Sequence, residues 1–142
     1  MAIEFGVGDG SFRTAGGEVA IRRLVDDFYD IMDVEAQFQT IRRMHPKDLD
    51  ESRDKLARFL CGWLGGPKRY HEKYGSISIP KAHAHFVVGK AEREAWLDCM
   101  EKAIARQSYP SQFAEYLLKE LRVPAQGIYK KSRKPPGETY EA

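Results

Sequence analysis

At 142 residues, with 42% hydrophobic and 31% charged side chains, the chain has room for one globular domain with its own core and not for two. Its net charge of +2 sits in residues 123–142, where Lys130, Lys131, Arg133 and Lys134 outnumber Glu138 and Glu141, so residues 1–122 are neutral overall. A neutral body excludes a broad phosphate-binding face and hence nucleic acid as a partner. No apolar run approaches the ~18 residues of a membrane helix, which excludes a spanning segment. Met1–Gly6 shows no basic stretch leading into an apolar one, and Cys61 and Cys99 lie singly within helical patterns, so a cytoplasmic protein with reduced thiols is expected.

Residues 1–10 are Gly-rich and predict a flexible lead-in. Ser11-Phe12 opens a short helix that Gly16-Gly17 breaks. From Glu18 to Met32 the apolar residues Ile21, Leu24, Val25, Phe28, Ile31 and Met32 recur at three and four, with Arg22, Arg23, Asp26, Asp27 and Asp30 opposite. This is an amphipathic helix with Tyr29 at the edge of its apolar stripe. A short helix over Val34–Met44 ends at His45-Pro46, because proline cannot continue the hydrogen-bond ladder and restricts the residue before it. Leu56, Phe59, Leu60, Trp63 and Leu64 form the apolar stripe of a helix over Leu49–Leu64, which Gly65-Gly66-Pro67 stops.

Residues 68–80 read as a polar, aromatic linker. Ile77 and Ile79 alternate with serines as in a strand, but no partner strand is apparent, so this stretch is expected to be loop. A short helix carries His83 and Phe86 before Gly89. Residues 91–107 form a further helix, with Trp96, Met100 and Ala103 on one face and Leu97 and Ile104 beside it. Ser111 caps the last helix, which turns Phe113, Leu117 and Leu121 inward. Pro124 is expected to end the helical body, leaving 123–142 as a disordered basic tail with Pro135-Pro136-Gly137 in it. There is no internal repeat. The class is all-α, and short helices separated by Gly and Pro breaks suit crossed packing around a pocket better than a long bundle.

The chain contains no His-Glu-x-x-His, Cys-x-x-Cys, phosphate-binding loop or dinucleotide glycine pattern. His83-x-His85 suggests a zinc pair, but residues two apart on a helix point about 200° away from each other. A haem pocket asks for one neutral imidazole, an apolar cavity and a few polar groups on the open side of the iron. The chain offers His83 for the first; Phe28, Leu56, Phe59, Leu60 and Phe86 for the second; and Tyr29, His45 and Trp96 for the third. Lys55 and Tyr70 are candidates for the cofactor's carboxylates. Spacing alone does not select this reading, since a histidine on a helix is more often a core or surface residue than a ligand. A cofactor-free helical interaction module, using its basic tail as the contact, is the alternative.

The order of motifs is more specific. Gly16-Gly17, Phe28-Tyr29, His45-Pro46, Leu56-x-x-Phe59-Leu60 running into Gly65-Gly66-Pro67-x-x-Tyr70, then His83-x-x-Phe86 and Trp96-Leu97-x-x-Met100 succeed one another over residues 11–122. This series resembles the truncated haemoglobins, and their second group in particular. The resemblance implies a shortened globin, two helices over two around haem b. It implies His83 as the proximal iron ligand, and Tyr29 and Trp96 on the distal side. His45 falls where the group more often has Tyr or Phe, and Lys55 and Tyr70 match positions near the propionates. Ser52 falls where a classical globin has its distal histidine. The pattern departs at Ala82, where an Arg is frequent (Lys81 stands one earlier), and at His85, which replaces a frequent Pro and is expected to be exposed. The Tyr29–His45 interval is also longer than is common.

On this resemblance, three polar side chains that donate hydrogen bonds to a distal ligand predict slow oxygen release. That suits sensing or redox chemistry on oxygen, nitric oxide or peroxide, with nitric-oxide dioxygenase or peroxidase-like activity, better than bulk oxygen transport. An unidentified reductase and a monomeric or weakly dimeric state complete the expectation, and Tyr29 or His45 is a candidate sixth ligand of ferric iron.

Overall fold

The computed structural model describes residues 5–76 and 83–138. Helix α1 (Gly10–Thr14) stops at Gly16 and Gly17, whose φ of 94° and 80° lie in the left-handed region where a side chain is disfavoured. Helix α2 (Gly17–Val34) buries every member of the apolar stripe, Ile21, Leu24, Val25, Phe28, Ile31 and Met32, and Tyr29 beside them. Its last carbonyls lack intrahelical donors, and the Gln39 side-chain amide donates to those of Met32 and Asp33 at 3.2 and 3.3 Å, and also to that of the capping residue Glu35 at 3.1 Å. The expected helix over Val34–Met44 is shorter and divided. It consists of a 3-10 turn at Ala36–Phe38 and α3 (Gln39–Arg42), both held against α2 by this cap.

Helix α4 (Asp50–Trp63) is followed by α5 (Arg69–Tyr74), α6 (Lys90–Ala105) and α7 (Ser111–Lys131). Helix α2 packs on α4, α6 packs on α7, and contact between α2 and α6 joins the two pairs. Among the described residues there is no strand, only an isolated parallel bridge between Val87 and Arg133. The all-α expectation holds. His83–His85 form a turn, and the strand-like alternation at Ile77 and Ile79 lies outside the described residues.

Pro124 does not end the last helix. Helix α7 continues through it to Lys131. An internal proline costs about 3 kcal/mol, because it removes a ladder bond and crowds the preceding turn. Burial in the next two turns offsets that cost: Ala125 and Tyr129 are buried, and the Tyr129 ring lies 4.8 Å from the Arg93 guanidinium and 4.3 Å from the Lys134 ammonium. Residues 132–138 then fold back along Phe86–Lys90, so the expected disordered tail is corrected there; 139–142 lie outside the described residues.

The flexible lead-in is corrected in the same way over residues 5–9. The Phe5 ring packs 5.2 Å from Phe113 and 5.1 Å from Tyr116, and Gly6 N–H donates to Ser11 Oγ at 2.8 Å. The lead-in accounts for Gly65 and helix α1 for Gly66. A Cβ on Gly65 would lie 2.0 Å from the Gly8 carbonyl oxygen, and one on Gly66 would lie 2.4 Å from the Phe12 ring.

Asp54 ties α2, α4 and α5 together. Its carboxylate accepts from Lys73 at 2.8 Å, Tyr74 at 2.7 Å, Arg58 at 3.0 Å and Arg22 at 3.1 Å. Burial alone raises a carboxyl pKa, but these four donors together hold Asp54 well below the usual carboxylate range.

Gly65 and Gly75 share a left-handed φ of 92° and 81°, but only Gly65 faces a neighbouring carbonyl. Thermal unfolding should find Gly75→Ala costing about 1–3 kcal/mol from strain alone and Gly65→Ala costing about 2 kcal/mol more than that, because the carbonyl contact adds to the strain. Equal losses would contradict the contact. A depressed folded-state pKa contributes stability above the unfolded value, near pH 4, which is lost as pH falls through the folded one. Asp54→Asn should therefore cost about 2 kcal/mol in urea unfolding at pH 7, and the gap to the parent should narrow towards pH 3. A gap independent of pH would rule the hub out.

Candidate functional site

Between the two helix pairs lies a cavity of about 420 Å³, within the size range of ligand pockets. It takes its walls from the α3 end and the His45-Pro46 bend, the inner face of α4, Tyr70, the His83 turn, the first half of α6 and the second half of α7. Leu56 and Phe59 are only half-buried although they continue the apolar stripe of α4, because they face this cavity and not the core.

The structure brings Tyr29, His45, Lys55, Leu56, Phe59, Leu60, Tyr70, His83, Phe86 and Trp96 to one cavity, and Ser52 with them. Phe28 does not line it. It is fully buried behind the wall, its ring 5.0 Å from Tyr29 and 5.3 Å from Trp96, edge-on to both. Such contacts contribute about 0.5–1.5 kcal/mol each, so Phe28 sets the spacing of the two polar aromatic rings from behind. His85 is exposed on the turn, and Lys81 and Ala82 lie outside the described residues.

The polar groups are asymmetric. Burial raises the Tyr29 phenol pKa far above its ordinary value, so the hydroxyl keeps its proton. Arg53, itself held by Asp26 at 3.2 Å and Asp30 at 2.8 Å, stands 5.9 Å from the Tyr29 ring centre. The Trp96 indole can only donate. His45 stacks edge-on against Tyr29 at 5.5 Å, and its Nδ1 lies 2.9 Å from the Ile41 carbonyl. A carbonyl only accepts, so Nδ1 carries the proton and a neutral ring leaves Nε2 as a bare lone pair. Burial, helped by the positive charge of Arg42 and by His83, lowers the His45 pKa against the raising effect of the Ile41 bond. At neutral pH His45 is therefore an acceptor, not the third donor expected from the sequence.

At the α4 end of the cavity Lys55 Nζ pairs with Glu51 at 2.7 Å, and this bond raises the lysine pKa. Glu51 shares the cavity with Lys55, so a carboxylate arriving there would meet a cation already engaged. Sequence reasoning missed Glu51. It also missed Arg93, which lines the cavity while donating to Gln126 at 2.8 Å. Arg93 precedes Trp96 by one helical turn, so spacing offered the signal. Ala125 and Ile128 were missed because the helix was expected to stop at Pro124, which lines the cavity itself.

The bacterial-like globin family model matches residues 11–129. The chain belongs to that family. Group 2 truncated hemoglobin YjbI of Bacillus subtilis (strain 168) is 31% identical over 109 residues, covering 77% of this chain and 80% of that protein. The group II 2-on-2 hemoglobin of Agrobacterium tumefaciens superposes with a TM-score of 0.81 at 29% identity, over 88% of this chain and 95% of its own. The truncated oxygen-avid haemoglobin of Bacillus subtilis gives 0.74 at 30%, over 83% and 97%. The fold is that of a truncated globin of the second group, and α2/α4 with α6/α7 are its two-over-two layers. Haem binding comes with the family, and the cavity fits it on its own terms: mostly apolar walls, an imidazole at the His83 turn and polar aromatic groups on α2 and α6.

The tautomer of His45 is open to direct test. Ring-nitrogen NMR of the apoprotein should show Nδ1 protonated, Nε2 bare, and a midpoint below 6.5, the ordinary histidine value. The unfolded chain takes up this proton first as pH falls below that value, so the His45 contribution to stability declines there. An Nε2-protonated ring would overturn the assignment.

Proposed function

We propose that His83 would hold the iron of a haem b in this cavity, and that Tyr29 and Trp96 would hydrogen-bond a small ligand bound there. The family makes the chain a haem-binding globin. The observation that carries the finer reading is the pairing of His83 with Tyr29, His45 and Trp96 around one apolar space. Haem, when bound, supplies an iron that takes diatomic ligands and exchanges electrons. The remaining chemistry belongs to the chain.

Leu56, Phe59, Leu60 and Phe86 exclude water, which strengthens each polar contact inside. Tyr29, its phenol kept protonated by burial, and Trp96 each donate one hydrogen bond. With the single Tyr29 proton given to the ligand, His45 Nε2 would accept from water or from a protonated ligand, and it would be free to hold ferric iron in the absence of one. Lys55 and Tyr70 hold the cofactor's carboxylates, with Glu51 giving up Lys55 in part. Two donors to a negatively charged ligand slow its release, and an acceptor beside them can receive a proton from a peroxide. The reading is therefore oxygen binding with slow release in the service of redox chemistry on oxygen, nitric oxide or peroxide, with electrons from a reductase, in preference to bulk transport. The oxygen-avid description of one relative agrees with the first part. The interaction-module alternative leaves the cavity unexplained, and two of its basic tail residues are engaged within the chain, Arg133 through its backbone and Lys134 through its side chain.

Titration with haemin tests this. The intact chain should take up one equivalent with an intense Soret band, and His83→Ala should lose most of it. In the haem-loaded protein, Tyr29→Phe and Trp96→Phe should each speed oxygen release by roughly tenfold to a hundredfold, the worth of a hydrogen bond to a charged acceptor, ~1.5–3 kcal/mol. A chain that refuses haemin, or release rates indifferent to both substitutions, would overturn the proposal.

A further inference from the structure

Residues 132–138 leave the end of α7 and run beside the segment on the C-terminal side of His83. The backbone contacts form a continuous series. Phe86 N–H donates to the His83 carbonyl at 3.0 Å, Arg133 N–H to the Phe86 carbonyl at 3.0 Å, and Val88 N–H to the Arg133 carbonyl at 2.9 Å. Ser132 Oγ adds a bond to the Val88 carbonyl at 3.2 Å. Further along, the Glu138 carboxylate accepts from Lys90 N–H at 3.2 Å, at the first residue of α6. Gly89 is where the two segments cross: a Cβ there would lie 2.8 Å from Pro135 and 2.9 Å from Glu138.

The base of this segment is anchored. Lys134 donates to the carbonyls of Tyr129 and Ser132, and its ammonium lies over the Tyr129 ring, which is fully buried. The segment therefore connects a fixed point in α7 to both ends of the stretch between the His83 turn and α6. The family match ends at residue 129, so this device lies beyond what the family model describes.

We propose that residues 132–138 form a proximal strap that positions His83. Through Phe86 and Val88 the strap fixes the height and rotation of the turn bearing the imidazole, and through Lys90 it fixes the start of the helix bearing Trp96. This role rests on the assignment of His83 as iron ligand. On that assignment the strap would fix where the His83 imidazole is presented to a bound iron, and residues 132–138 would be positioning residues that touch neither iron nor ligand.

The experiment compares the full chain with a chain ending at Lys131, a chain ending at Glu138, and Glu138→Ala, which keeps every residue should the shorter truncation fold poorly. Amide exchange in the apoproteins reads the strap without cofactor. Val88 should exchange roughly tenfold faster or more in the chain ending at Lys131, Lys90 should lose protection in Glu138→Ala, and the chain ending at Glu138 should match the parent. In the haem-loaded ferrous proteins, the iron–histidine stretching band should shift and broaden in the chain ending at Lys131, shift less in Glu138→Ala, and stay in place in the chain ending at Glu138. Haem uptake with an unshifted band in both strap variants, or unchanged exchange at Val88 and Lys90, overturns the strap while leaving His83 as ligand. Failure of the intact chain to bind haemin overturns the His83 assignment and the strap's role with it, a result separable from the first because the exchange data stand on the apoprotein.

Discussion

A cavity of about 420 Å³ inside a chain of this length has to be kept open against close packing. Interiors otherwise fill to crystal-like density, and flexible side chains collapse into space they can reach. The structure resists collapse by tying its walls together outside the cavity. Asp54 gathers donors from α2, α4 and α5 into one cluster. Gln39 fastens the α3 end to the carbonyls of α2, and Arg42 reaches from α3 to Asp33 at 2.8 Å. The Gly8–Gly65 approach sets where α4 ends. Phe28, fully buried behind Tyr29 and Trp96, supports the far wall from outside. None of these groups except the two rings that Phe28 supports touches the cavity, yet together they decide its width.

The same burial that shapes the walls sets the protonation of the groups on them. Desolvation disfavours charge in either direction, so the Tyr29 phenol keeps its proton and the His45 imidazole declines a second one. The Ile41 carbonyl then chooses the tautomer by claiming Nδ1–H. The cavity wall thus offers Tyr29 and Trp96 as groups able to give a hydrogen bond and His45 as one able to receive it. An all-donor pocket stabilises a bound anion and nothing more. A pocket with a neighbouring acceptor also has somewhere for a proton to go, which is the feature that favours redox chemistry over storage in the proposed function.

Local periodicity carried most of the helical framework. The stripes of α2 and α4 are long, regular and flanked by Gly or Pro, and both helices lie within two residues of where spacing places them. Side-chain partners that depend on tertiary approach were not legible. Gln39 as a cap for α2 needs the chain to turn back on itself, and Glu51 beside Lys55 reads in sequence as an ordinary solvated pair. Pro124 misled for a physical reason. Its local preference to break a helix is real, but the burial of Ala125 and Tyr129 outweighs it. That one difference removed Ala125 and Ile128 from the expected pocket and made 123–142 look like unstructured chain.

The basic tail shows most plainly how charge read from sequence can mislead. Lys130, Lys131, Arg133 and Lys134 form a cluster that suggests a solvated end. In the structure Lys134 is turned onto Tyr129 and the Tyr129 and Ser132 carbonyls, and Arg133 contributes its backbone to the bridge with Val87. Positive charge thus collects around a neutral ring already faced by Arg93, and Arg93 in turn lines the cavity. Like charges placed this close repel unless something between them is electron-rich, and the face of Tyr129 supplies that. The cations are held by the ring and the ring is held by its burial, so the base of residues 132–138 is anchored to α7 beside the segment that follows the His83 turn. The His83 turn and the helix that carries Trp96 are thereby joined at Gly89-Lys90, where residues 132–138 cross the start of α6.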